Sequence, residues 1–143
     1  MDSFGIKDLK HTLRQTMLTK RRTLGAGEVA RRSKQIAEFL IASSSFHKAK
    51  AIMAYAPLHN EVDTELLLQA ALGQQKQVLL PVAEWENRQL RPVSIKSYPD
   101  SLVAGRYGIL EPAQDRQSPW PVEQIDLVIV PGVAFDVQGY RLG

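Results

Sequence analysis

Residues 126–143 read D-L-V-I-V-P-G-V-A-F-D-V-Q-G-Y-R-L-G. Leu127, Val128, Ile129 and Val130 form an unbroken apolar run closed by Pro131 and Gly132. Such a run, too short for a helix and without polar alternation, predicts a fully buried strand of a parallel sheet. Ligands of open α/β sheets collect beyond the carboxyl ends of the strands, so Phe135, Asp136, Gly139, Arg141 and Gly143 fall where an anion is expected. Asp136 itself reads as a turn former.

Upstream, residues 50–55 and 76–82 read as two strands around a helix that carries Leu66, Leu67, Ala70 and Ala71 on one side and stops at Gly73. Asp63 or Thr64 can cap that helix. Strand, helix, strand over this length is the βαβ unit of a parallel sheet. Residues 90–95 give a further strand, and Pro92 inside it predicts an edge position because proline cannot donate to a ladder. Residues 97–121 hold four prolines and two glycines without periodicity, and are expected as a long functional loop.

Two helices open the chain. Ile6, Leu9, Leu13 and Met17 recur at helical spacing, with Gly25 and Gly27 as the expected stop; Val29, Ile36, Leu40 and Ile41 mark a second helix reaching 43–45. The first 35 residues carry nine Lys and Arg against three acids, and the remaining residues nine against twelve, so the net charge of +3 belongs to the N-terminal arm. An anionic partner suits that arm. The 143 residues, 44% hydrophobic and 23% charged, suit one domain over 1–143. With no cysteine, disulfides and thiolate chemistry are excluded. No apolar run approaches the roughly 18 residues of a membrane span, and a soluble, cytoplasmic protein is the expectation.

Lys7, Lys10 and Arg14 form a basic stripe on successive turns, which reads either as a solvated helix face or as a pair, Lys10 and Arg14, aimed at a phosphate. Glu61 sits in the loop after the first strand, solvated or accepting hydrogen bonds from the donor edge of a heterocycle. Tyr107 is a core aromatic or a stacking platform at a pocket lip. His11, His47 and His59 lack metal-ligand spacing. Neither standard glycine-rich nucleotide fingerprint occurs.

In order along the chain, these pieces resemble one family. Lys10-x-x-Leu13-Arg14, Tyr55-x-Pro57 with Glu61-Val62-Asp63-Thr64, Tyr107-Gly108-Ile109-Leu110-Glu111-Pro112, and Val130-Pro131-Gly132-Val133-Ala134-Phe135-Asp136 with Gly139-Tyr140-Arg141-Leu142-Gly143 are similar to 5-formyltetrahydrofolate cyclo-ligase. The resemblance implies a three-layer α/β/α sandwich with a mostly parallel sheet, like the ribose-phosphate isomerase and CoA-transferase folds. It implies an enzyme of folate one-carbon metabolism that uses ATP and Mg2+ to close 5-formyltetrahydrofolate into 5,10-methenyltetrahydrofolate, releasing ADP and phosphate. On that reading Lys10, Arg14, Arg141, Leu142 and Gly143 hold ATP, with Arg14 and Arg141 catalytic, and Ala56, Glu61 and Tyr107 hold the folate.

Family members continue beyond the R-L-G at 141–143 with a glycine-rich stretch and the metal-binding carboxylate. The expectation is therefore a fold incomplete at its C-terminus, an inactive or nearly inactive chain, and association through an uncovered strand 127–130. No nucleic-acid or membrane partner is expected. The alternative is a non-catalytic module that binds nucleotide, folate or nucleic acid through the basic N-terminal helices.

Overall fold

The computed structural model describes residues 3–143. Helix α1 (Ser3–Arg22) closes where the Thr23 hydroxyl donates to the Lys20 carbonyl at 2.7 Å, ahead of the expected glycine stop. Gly25 instead precedes α2 (Ala26–Ile41) as its N-cap, and Gly27 lies in its first turn, where backbone N–H groups lack intrahelical partners. The apolar stripe of α1 forms but is not buried: Ile6, Leu9 and Leu13 are 40%, 61% and 49% exposed. On α2, Arg31 and Arg32 grip Glu28, and their hydrogen bonds hold its carboxyl down at about 2.

The serines at 43–45 start one more short helix, α3 (Ser44–Lys48), whose first turn is capped by Ser43 Oγ accepting from Phe46 N at 3.2 Å. This element was not anticipated, because five residues carry no periodicity. It places the fully buried Phe46 ring in the core, with the Lys76 ammonium 5.1 Å from the ring centroid.

β1 (Ala51–Met53), α4 (Glu65–Gly73) and β2 (Gln77–Glu84) form the expected βαβ unit, with Ile52 opposite Val78. The buried side of α4 is Leu67, Leu68 and Ala71, while Leu66 stays exposed. β3 (Gln89–Ile95) runs antiparallel beside β2 at the sheet's edge, and Pro92 sits there opposite Pro81. Its outer side is not bare: Ser94 N donates to Ser118 O and Trp120 N to Pro92 O.

Inside the expected loop at 97–121 lies a small hairpin, β4 (Leu102–Ala104) and β5 (Leu110–Pro112). Its three pairs per strand are too few to register as alternation, and its turn depends on left-handed residues at Tyr107 and Gly108. β6 (Leu127–Val128) then returns to pair parallel with β1, Ile52 opposite Leu127, giving the sheet order β3-β2-β1-β6. The sheet is thus mixed and mostly parallel. Asp126 fixes this return: its carboxylate accepts from Lys50 N at 2.8 Å and Ala51 N at 2.9 Å, which lowers its pKa from the ordinary value.

The expectation of a fully buried strand at 127–130 is corrected. β6 is the other edge of the sheet, and Val128 and Val130 are 45% and 48% exposed while Leu127 and Ile129 face the core. Side chains alternate along the segment, so Val128 and Val130 point away from the core that Leu127 and Ile129 meet, and a continuous apolar run here does not mean burial on both faces. The chain ends in a hairpin of β7 (Ala134–Phe135) and β8 (Arg141–Leu142), tied by Asp136 Oδ1 accepting from Gln138 N and Tyr140 N, as a turn former does.

One face of the sheet carries the core. Ile52, Ala54, Val78, Leu80 and Ile95 pack under Ala37 of α2, Phe46 of α3 and Leu67, Leu68 and Ala71 of α4. Each such large side chain, fully removed from water, contributes about 1.5–3 kcal/mol. This packing fixes the strand ends from which the site residues project.

Candidate active site

The loop from β1 to α4 is built as a closed frame. Thr64, buried at the start of α4, does not cap that helix; its hydroxyl donates to the Tyr55 carbonyl at 2.6 Å. The first-turn contact is made by Asp63 Oδ1, which accepts from Glu65 N at 2.9 Å. The Tyr55 hydroxyl spans the loop to the Val62 carbonyl, and buried Ser33 of α2 accepts from Asp63 N at 2.9 Å. Within the frame Glu61 folds back, Oε2 accepting from Leu58 N at 2.8 Å, with Asn60 in the left-handed turn (φ 62) that asparagine tolerates. Glu61 Oε1 and the second lone pairs remain for a ligand. Burial, and then the nearby Glu61 and Asp63 charges, push the Tyr55 phenol up to about 12, so it stays a neutral donor at physiological pH.

Two cavities meet at this frame, sharing Tyr55, Glu61 and Pro131 as a common wall. The larger, about 400 Å³, lies between α2, α4 and the end of β6 and is mainly apolar, with Arg21 and Arg32 on its margin. The smaller, about 170 Å³, is lined by Ala56 and Glu61 from the frame, Glu111 from β5, Arg106 and Trp85. Both hold Glu61, and the smaller one adds Glu111 and Arg106, directional groups that can orient a heterocycle. Tyr107 stands beside it, edge to face with Trp85 at a centroid distance of 5.3 Å.

The basic residues occupy a second locus. Arg14 Nε donates to the Gly143 carbonyl at 2.6 Å, which joins α1 to the far end of the chain. Arg141 folds back to donate to the Pro131 carbonyl at 2.8 Å. It can do so because Gly132 has no side chain: a Cβ there would lie 2.5 Å from the Phe135 ring and 3.0 Å from the Arg141 stem. Leu142 pairs with Ala134 in the β7–β8 hairpin. Lys10, one turn before Arg14, is exposed to solvent.

Of the residues singled out from sequence, Ala56 and Glu61 therefore share one cavity with Tyr107 at its lip, and Arg14 and Gly143 are in direct contact. Trp85, Arg106 and Glu111 also belong to the cavity. In the sequence Glu111 stands out only as part of a motif, and Trp85 and Arg106 carry no periodic signal; a tryptophan in the turn between two strands is the one available clue. Among the described residues no group of three or more His, Asp or Glu could hold a metal ion, and Asp136 is committed to its turn.

The α/β chain thus presents an acceptor-lined cavity with guanidinium groups nearby, a setting for a polar ligand. Residues 6–143 match the family model for 5-formyltetrahydrofolate cyclo-ligase, and the chain belongs to that family of ATP-dependent ligases. It is 30% identical to the probable 5-formyltetrahydrofolate cyclo-ligase of Caenorhabditis elegans, covering 97% of this chain and 69% of that one. The mouse enzyme is 24% identical, covering 100% of this chain and 72% of its own length. In structure it is similar to 5,10-methenyltetrahydrofolate synthetase of Aquifex aeolicus, with a TM-score of 0.81 at 36% identity, covering 94% of this chain and 66% of the other. The chain thus spans about two thirds of the length of these relatives. No helix among the described residues is long and apolar enough to cross a membrane.

Proposed function

We propose that the chain binds 5-formyltetrahydrofolate in the smaller cavity and contributes to its ATP-dependent closure to 5,10-methenyltetrahydrofolate. The observation that carries this reading is the position of Glu61: its carboxylate is held by Leu58 N–H inside a stapled loop and faces the same cavity as Ala56 and Pro131. A pre-positioned carboxylate accepts two N–H donors from the edge of a pterin without first being ordered. Tyr107 and Trp85 offer ring faces beside it.

The phosphates of ATP fall to Arg14 and Arg141, with Lys10, Leu142 and Gly143 around them. The Arg14 contact with Gly143 supports this, since it holds one guanidinium at the R-L-G stretch and leaves its terminal nitrogens as donors. Two guanidinium groups near a transferring phosphoryl group stabilise its charge by position, the main lever in such chemistry. When bound, magnesium would neutralise the phosphates.

Glu61→Gln tests the reading. Its amide replaces one acceptor oxygen by a donor that faces the ligand's N–H groups, so the dissociation constant for 5-formyltetrahydrofolate rises about tenfold or more, while affinity for ATP, measured by calorimetry, is unchanged. Equal folate affinity in wild type and variant would remove the basis for the assignment.

A further inference from the structure

Arg106 lines the smaller cavity, and its guanidinium carbon lies 4.8 Å from the centroid of Trp85 and 5.3 Å from that of Tyr107. A guanidinium resting on aromatic rings keeps its charge and its in-plane N–H edge, because a ring face attracts the cation without satisfying those donors. Among the described residues no carboxylate stands within ion-pair reach of it. The cation is held in place yet has no anion.

The backbone next to it points the same way. Tyr107 sits at φ 59, ψ 22 in the left-handed region and is 72% exposed. Glycine or asparagine would adopt that conformation at lower cost, and burial does not explain the aromatic side chain, because most of it is in solvent. What the ring does do is brace Trp85 and Arg106.

The cavity is also polar in opposite senses. Glu61 and Glu111 supply acceptors, whereas Arg106 is the one cation among the described lining residues. A cavity of about 170 Å³ is too small for a whole folate, so part of the ligand lies outside it, and Arg106 is the cation that the described lining offers to that part. A ligand with a donor edge at one end and a carboxylate at the other matches this polarity.

We propose that Arg106, braced by Trp85 and Tyr107, is a specificity-determining residue that binds the carboxylates of the folate's glutamate tail. The assignment rests on the smaller cavity being the folate site. Trp120→Phe leaves Trp85 as the sole indole, since the chain has two tryptophans, and its emission then reports occupancy of the lip. In that background 5-formyltetrahydrofolate and its pteroate counterpart, which lacks the glutamate, are titrated into the protein with and without Arg106→Gln.

The expected result is that the glutamate-bearing ligand binds about three- to tenfold more tightly than the pteroate, the range of a partly exposed charge-assisted pair. Arg106→Gln weakens the glutamate-bearing ligand more than the pteroate, so that the preference is abolished, and high salt narrows the preference in the parent protein. A preference that survives Arg106→Gln, or a loss equal for both ligands, overturns the tail assignment. Pteroate binding with no preference for the tail overturns it alone, whereas no binding of either ligand brings down the folate reading of the cavity as well.

Discussion

Thr64→Val isolates the frame on which Glu61 depends. Valine keeps the shape of threonine, so the buried packing at the head of α4 survives and the perturbation is confined to one hydroxyl. That hydroxyl is the partner of the Tyr55 carbonyl at 2.6 Å, and its loss leaves a partly buried acceptor without it. An unmet acceptor of this kind costs about 1–3 kcal/mol. For a chain of this size the melting temperature should fall by roughly 3–10 °C, read by calorimetry or by circular dichroism at fixed pH. Because Tyr55 precedes Ala56 and its ring hydroxyl holds Val62, the same variant should weaken folate binding without touching ATP. A melting temperature within about 1 °C of wild type, with unchanged folate affinity, would refute the idea that this bond organises the loop, since even the low end of the range exceeds that shift.

Tyr55 carries a pH signature. Its folded pKa of about 12 lies above the ordinary value of 10.0, so its contribution to stability is complete below pH 10 and is lost as pH rises towards 12. The difference in denaturation midpoint between wild type and Tyr55→Phe should therefore shrink across that window, and a difference independent of pH would contradict the burial argument. Phe46→Ala should destabilise by about 3–5 kcal/mol, because it empties a fully buried ring site in the main core; urea titration reads this, and a loss under about 1 kcal/mol would mean the site collapses freely. Since exposed Val128 lies in β6, an edge unpaired among the described residues, Val128→Lys should reduce any concentration-dependent association seen by light scattering. An unchanged profile for an associating sample would place the contact elsewhere.

The parts of the fold legible in the sequence were those written in long-range pattern. The βαβ unit followed from two apolar runs flanking a helix, and the edge position of β3 followed from Pro92, a residue with no donor for a neighbour. The loop position of Glu61 followed from the end of the first strand, whereas its grouping with Ala56 came only from the family resemblance. The rest depended on contacts no local pattern encodes. α3 and the β4–β5 hairpin are too short for periodicity, and the exposure of Val128 is set by which strand lies beside β6 rather than by its own composition. Trp85 and Arg106 are 21 residues apart and come together only because the hairpin turns through Tyr107. Thr64 looked like a cap, and tertiary geometry gave that duty to Asp63.

The pairing of β6 with β1 has a consequence in time. β1, α4, β2 and β3 are nearest neighbours along the chain and can assemble as soon as they exist, whereas the Asp126 carboxylate must find the Ala51 amide across a separation of 75 residues. Closing so wide a loop is slow, because its entropy is lost before any contact repays it. The seam between Tyr55 and Pro131, which both cavities share, is therefore sealed late, after the early strands are already in register. A molecule seated across that seam acts on a contact absent from the folding nucleus, so it slows escape from the native state and leaves the rate of reaching it unchanged.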